Sequence, residues 1–168
     1  MKKIMKYLCA AALISGGFYT MRLMRRHRED SEKRCYNKLN RLEDYRYLLA
    51  MWTANLVEHK YIADYLQKNG IANIAIYGTD IEADILDKEL EHSSVSVACF
   101  MEADSNKRSY RNKDVLDAET VQNSKEIDAI VVTPIFAFAS IKETLAAVSD
   151  KKILSLADIV FRVKKEEA

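Results

Sequence analysis

Ile74-Ala75-Ile76-Tyr77-Gly78-Thr79-Asp80-Ile81-Glu82-Ala83 is the stretch on which the reading of this 168-residue chain turns. Four apolar or aromatic residues too few to make a helix run into a glycine, and a new apolar spacing begins at Ile81. That pattern predicts a strand, a tight turn and a helix. The helix is expected over Ile81–Glu91, and a second β-rich run follows at Val95–Met101. Ala129–Thr133 is apolar throughout, as a strand buried on both faces of a parallel sheet must be. Ile141–Val148 reads as a helix, Lys152–Leu156 as the last strand and Asp158–Lys164 as the closing helix. Strands alternating with helices predict an α/β domain with a small parallel sheet of four to five strands. Asp104–Asn123 is polar, with at most one short edge strand near Val115. Thr79 with Glu82, Ser140 with Glu143 and Ser155 with Asp158 each place a hydroxyl three residues before an acid, the spacing of a helix-capping pair.

Upstream of Gly70 the periodicity is helical. No Gly or Pro occurs between Ser31 and Lys68, and Leu42, Tyr45, Leu49, Trp52, Leu56, His59, Ala63 and Leu66 recur at steps of three and four. One long amphipathic helix is expected, ended by Asn69-Gly70. Tyr61, Ile62 and Tyr65 widen its apolar stripe near the C-terminal end, which favours packing on the following domain. A homodimer through the part of this neck nearer the N-terminus is the other use of the stripe. Packing is the expected role of His59 and Trp52.

Charge is unevenly spread. Of 26 basic residues, seven (Lys2, Lys3, Lys6, Arg22, Arg25, Arg26 and Arg28) lie in residues 1–28, which hold no acid; the other 19 share the chain with all 25 acids, a net of −6. That sign repels phosphate backbones and excludes nucleic acid as the expected partner. From Tyr7 to Met21 there is no charge, and the apolar run reaches Ile4–Met24 if Lys6 and Arg22 extend to the two interfaces. A helix crosses the hydrocarbon with about 20 residues, so the segment suffices as a single-pass membrane anchor. A cleaved leader is the rival reading, with Ser15-Gly16-Gly17 as the small-residue site. The four arginines and His27 just beyond resist translocation and favour retention with the α/β domain in the cytoplasm. The expected divisions are therefore 1–28 as membrane anchor, 29–69 as helical neck and 70–168 as the α/β domain. Cys9, Cys35 and Cys99 have no metal-ligand spacing and suit a reducing compartment.

The run 74–78, the strand Asp128-Ala129-Ile130-Val131-Val132-Thr133-Pro134 and the ending Ile153-Leu154-Ser155-Leu156-Ala157-Asp158-Ile159 resemble small NAD(P)-binding-type Rossmann-like domains of bacterial cell-surface polysaccharide biosynthesis loci. The likeness covers about residues 60–163. It implies a strand order that reverses between the first and fourth strands, with any ligand in the crevice between Gly78 and Thr133.

At the three glycine positions of a dinucleotide-binding turn this chain has Gly78, Asp80 and Ala83. Alanine is tolerated at the third. Asp80 sets a side chain and a negative charge where phosphate would sit, and Thr79, Glu82 and Asp84 crowd the same helix start. A like-charge contact at about 4 Å costs on the order of 4 kcal/mol at an effective dielectric of about 20, much of a micromolar affinity. Glu102, at the end of the second strand, stands where an acid holds a ribose hydroxyl. Gly78, Thr79, Asp80, Glu102, Thr133 and Pro134 are thus the candidate cofactor-binding residues, for NAD(P) or a nucleotide-sugar if any is bound. The group Asp80, Glu82, Asp84 and Asp87 is expected to be structural, and no metal site is expected.

Pro134-Ile135-Phe136-Ala137-Phe138-Ala139 is apolar where a loop is normally polar. Phe136 and Phe138 either join the core or offer an apolar patch to a ligand ring or a protein partner. No nucleophile, base or paired carboxylates fall in a catalytic pattern. The leading expectation is a non-enzymatic, membrane-anchored accessory or scaffolding domain with a degenerate nucleotide site; the alternative is a nucleotide or nucleotide-sugar binding domain, sensory or enzymatic.

Overall fold

The computed structural model describes residues 2–103 and 109–165, with side chains from Met21 onward except those of residues 23, 164 and 165. The chain divides into two compact units, one ending at Arg46 and the other beginning at Tyr47. A single helix, α1 (Lys2–Val57), supplies all the described secondary structure of the first unit and the opening turns of the second. Among the described residues no helix is long and apolar enough to cross a membrane. Most of the segment expected to do so, Ile4–Met24, has side chains outside the described residues.

In the second unit α1 is followed by α2 (Ile62–Lys68), β1 (Asn73–Tyr77), α3 (Ile81–Leu90), β2 (Ser96–Met101), β3 (Ser109–Tyr110), β4 (Lys113–Leu116) and α4 (Ala118–Asn123). Then come β5 (Ala129–Val132), a 3-10 turn at Ile135–Ala137, α5 (Phe138–Ala146), β6 (Lys152–Ser155) and α6 (Leu156–Lys165). The fold is mixed α/β, with a six-stranded sheet in the order β3-β4-β2-β1-β5-β6. Every pairing is parallel except β3 with β4. The order reverses at β1, whose neighbours are β2 and β5, as the resemblance implied.

One face of the sheet carries the end of α1 with α2, α3 and α6, around Leu48, Trp52, Ile62, Leu66, Ile76, Leu86, Phe100 and Ile159. The other is covered by α4 and α5, around Ala75, Cys99, Met101, Val121, Ile130, Val132 and Leu145. A bulge sorts β2 between them. The register runs Ile74↔Val97 and then Ala75↔Cys99, so Ala98 is extra. The inserted residue puts Val97 and Phe100 in the first core and Cys99 and Met101 in the second. Burial pushes the Cys99 thiol up to about 11, as suits a packing residue.

Several expectations are corrected. The helix expected over Ser31–Lys68 breaks after Val57. His59 takes a left-handed conformation (φ 56°), its N–H donates to Leu56 O at 3.1 Å, and Lys60 N–H reaches back to Asn55 O at 2.8 Å. This pairing closes a helix end in the Schellman manner. His59 is therefore exposed in a turn and not on a packed stripe. Gly70 (φ 70°) ends α2 the same way, with its N–H on Gln67 O at 2.9 Å and Ile71 N–H on Leu66 O at 3.0 Å. Tyr61, at the start of α2, makes no side-chain cap. Glu89 of α3 caps α2 instead: one carboxylate oxygen accepts Ile62 N–H at 2.7 Å and the other accepts the Trp52 indole N–H at 2.5 Å. One acid thus fastens three helices together, and Trp52 is buried as expected.

The polar stretch after β2 holds more than one edge strand. Arg111 and Asn112, both at positive φ, make a two-residue turn between β3 and β4, in which Tyr110 pairs with Lys113. That backbone suits a primed hairpin turn, which usually carries Asn-Gly or Asp-Gly. Arg-Asn hid it.

Candidate functional site

The loops after β1 and β5 meet at the reversal of the sheet. Gly78 has φ 129°, a region closed to side chains, and a Cβ built on it would lie 2.2 Å from Thr133 Oγ1 and 3.3 Å from Pro134 Cδ. The two loops therefore touch where the crevice was expected. Thr133 is fully buried; its N–H donates to Tyr77 O at 3.0 Å and its hydroxyl lies 2.8 Å from Asp80 Oδ1. Asp80 is also the helix cap. Its Oδ1 accepts Ala83 N–H at 2.9 Å, which corrects the expected Thr79 cap. One of the amides at the start of α3 that could receive an anion is thus occupied by a carboxylate of the same chain.

Thr79 is used differently. Its hydroxyl donates to Glu102 Oε1 and ties the turn to the end of β2. The six candidate residues thus fall into two contacting sets, Gly78 with Asp80, Thr133 and Pro134, and Thr79 with Glu102. Glu82 is buried in the first turn of α3, and burial followed by the Asp80 charge raises its carboxyl above the usual range.

Asp84 and Asp87 have structural partners. The Tyr110 hydroxyl donates to Asp84 at 2.7 Å, Arg111 bridges Asp84 and Asp87 at 3.3 Å each, and Lys113 Nζ bonds Asp87. The Tyr110 hydrogen bond holds the Asp84 carboxyl below its ordinary range, and the same bond pushes the phenol up to about 12. With Tyr110 edge-on to Phe100 at 4.9 Å, these contacts clamp the β3–β4 hairpin onto α3. Among the described residues no group of three or more His, Cys, Asp or Glu is placed to hold a metal ion.

The apolar segment divides. Phe138 begins α5 and packs on the second core, with Lys142 Nζ 5.8 Å from its ring centre, while Phe136 is 50% exposed. Ile81, at the start of α3 on the same C-terminal end of the sheet, is 70% exposed. Ser140 is not a cap, because α5 begins two residues earlier; its hydroxyl donates to Ala137 O at 2.9 Å.

Beside the closed turn lies an open cavity of about 320 Å³ over the ends of β1 and β2, between α4 and α5. Its wall includes Tyr77, Glu102, Asp117, Ser140 and Thr144, with Met101 and Ile141 as apolar lining. Burial and then the Glu102 charge raise the Tyr77 phenol, which keeps its proton at neutral pH. Asp117 caps α4 through Thr120 N–H at 2.8 Å. The sequence did not single out Asp117 or Thr144, and it marked Ser140 only as a helix cap; a hydroxyl at 140 and another at 144 on one helix face was the available signal. No family model and no curated protein matches this chain.

Proposed function

We propose that this protein is a membrane-anchored accessory or scaffolding module of the bacterial cell envelope, whose Rossmann-like domain stands at the cytoplasmic face and no longer binds a dinucleotide at the reversal of its sheet. The observation that carries the reading is the double use of Asp80 Oδ1 by Ala83 N–H and Thr133 Oγ1. A pyrophosphate in the usual pose would have to displace a carboxylate from a helix start, break its bond to a fully buried threonine and accept its charge at close range. The uncharged run Tyr7–Met21, flanked by basic residues, supports the anchor, and the absence of a nucleophile–base pair in the sequence supports a non-enzymatic role. The link to polysaccharide biosynthesis rests on the resemblance of residues 60–163. Exposed Phe136 and Ile81 supply an apolar contact for a protein partner at the sealed end of the sheet.

The cavity lined by Tyr77 and Glu102 favours the second reading, a nucleotide or nucleotide-sugar held in a displaced pose with its sugar hydroxyls on Glu102. Titration of the full chain with NAD, NADP and a UDP-sugar separates the two. The scaffold reading expects no saturation up to millimolar ligand. Micromolar binding weakened by Glu102→Ala overturns it.

A further inference from the structure

The geometry points to a second copy of this chain as the partner of the neck, paired parallel and in register along the face that carries Cys35, Leu39 and Leu42. Every described side chain from Met21 to Asp44 is exposed. A helix without a packed face is marginal in water, since most helical stability in proteins comes from burying one apolar side. Such a side exists. Cys35 is exposed, Tyr36 is 65% exposed, Leu39 56% and Leu42 66%. The steps of four and then three make Cys35 and Leu42 d positions and Leu39 an a position of a heptad. The outward b, c and f positions 33, 34, 37, 40, 41 and 44 are Lys, Arg, Asn, Asn, Arg and Asp, all polar.

Charge identifies the occupant. Lys38 takes the g position before Leu39 and Glu43 the e position after Leu42. In a parallel pair each g residue faces the e residue five places on in the other helix, so a homodimer forms two Lys38–Glu43 pairs around its apolar centre. An antiparallel pairing sets like against like at these flanks. Register is fixed by what bounds the seam: the a positions on either side are Glu32 and Arg46, and a slip by one heptad lays Leu39 against a charge. The apolar part spans about one heptad, so the association is weak in dilute solution and is strengthened when both copies are held on one surface. The pairing stands or falls separately from the nucleotide question, because it uses none of the α/β site.

Cys35 is the native reporter. In full-length protein carrying Cys9→Ala, mild oxidation is expected to give a covalent dimer. The bridge is expected to persist when the cysteine is moved to the other d position (Cys35→Ala with Leu42→Cys) and to be lost when it is moved to the outer face (Cys35→Ala with Asn37→Cys). Glu43→Lys is expected to slow cross-linking by about fivefold through loss of two exposed pairs, and adding Lys38→Glu to restore it. Equal cross-linking at 35, 37 and 42, none at 35 and 42, or a rate indifferent to both charge changes overturns the proposal. Circular dichroism of each variant shows that the helix is still formed.

Discussion

Asp80 Oδ1 lies 2.8 Å from the buried Thr133 hydroxyl and 2.9 Å from Ala83 N–H, so one carboxylate oxygen both caps α3 and seals the reversal of the sheet. Asp80→Gly removes both contacts and supplies the residue type that a dinucleotide-binding turn carries at this place. Glycine is a fair cap, costing a few tenths of a kcal/mol, and losing the Thr133 bond adds about 1 kcal/mol, so a destabilisation of about 1–2 kcal/mol is expected in urea unfolding. If, as proposed, the seal excludes phosphate, the variant is expected to bind NADP more tightly than the parent. Failure to gain any affinity would move the cause of exclusion to Glu82 or to the closed Gly78–Thr133 contact.

Gly78 is the other half of that seal. Gly78→Ala drives a methyl to 2.2 Å from Thr133 Oγ1 at a backbone angle hostile to any side chain, and ~3 kcal/mol or more of stability is expected to be lost. Gly78→Ala with Thr133→Ala removes the nearest atom but not the backbone strain. The double variant is expected to recover part of the loss, a non-additivity that denaturant titration of all four proteins measures.

Four strands of the sheet, β1, β2, β5 and β6, were legible because each run is short and bounded by turn or helical spacing, and Gly78 and Gly70 mark turns that only a left-handed backbone can make. What escaped was conformation that residue type conceals. The helix break at His59 and the hairpin at Arg111-Asn112 rely on non-glycine residues at positive φ, for which composition gives no sign. The site was half legible. Asp80 is visible in the sequence as a charge where a dinucleotide-binding turn would carry glycine, but its bond to Thr133 joins residues 53 apart and needs the strand order. The same holds for Glu89, one acid among many until the fold brings Trp52 and Ile62 to it.

Glu89→Ala leaves the Trp52 indole and Ile62 N–H without their acceptor at a helix junction, and a loss of about 2–4 kcal/mol is expected. The pH dependence has a definite sign. Burial raises the Glu89 carboxyl above its ordinary 4.5, so the folded protein binds the proton more tightly than the unfolded chain. This residue's contribution makes the fold more stable as pH falls from neutral through the raised value toward 4.5. Glu89→Gln is expected to flatten that part of the profile, measured as the difference between parent and variant melting temperatures across the window.

Tyr110 and Asp84 give a spectroscopic check on the hairpin clamp. The phenol ordinarily titrates at 10.0 and here is pushed up to about 12, first by its bond to Asp84. Ultraviolet difference titration is expected to find, beside the raised Tyr77, a late-ionising tyrosine in the parent that moves back toward 10.0 in Asp84→Asn. The phenol stabilises the fold fully below its unfolded value and loses that contribution as pH rises through the folded one. Asp84 has the opposite dependence: held below its ordinary 3.8, it stabilises above that value and ceases to do so as pH falls through its lower folded value. A Tyr110 titration unchanged by Asp84→Asn would show that the Tyr110–Asp84 bond is not part of the clamp, leaving Arg111 and Lys113 on Asp87 and the Tyr110–Phe100 contact to hold it.

His59 ends α1 in a conformation that costs an L-residue roughly 1–2 kcal/mol, and its ring makes an exposed contact of 3.2 Å with the Tyr61 hydroxyl. Glycine adopts the same backbone freely, at the cost of a more flexible unfolded chain, so His59→Gly is expected to stabilise the protein by about 1 kcal/mol. His59→Ala keeps the strain and loses the ring contact, and is expected to be neutral to slightly destabilising. Tertiary contacts also favour the break, Glu89 holding Trp52 on one side and Ile62 on the other. With the break so held, the turn persists whatever residue occupies it, and stability follows the backbone cost of residue 59, with glycine above alanine. If α1 instead continues as helix through residue 60 in solution, glycine is a poor helix former at that position and the order reverses, with alanine the more stable by about 1 kcal/mol. The ranking of the two variants in a single denaturant series therefore decides whether the long helix ends where the Lys60–Asn55 hydrogen bond closes it.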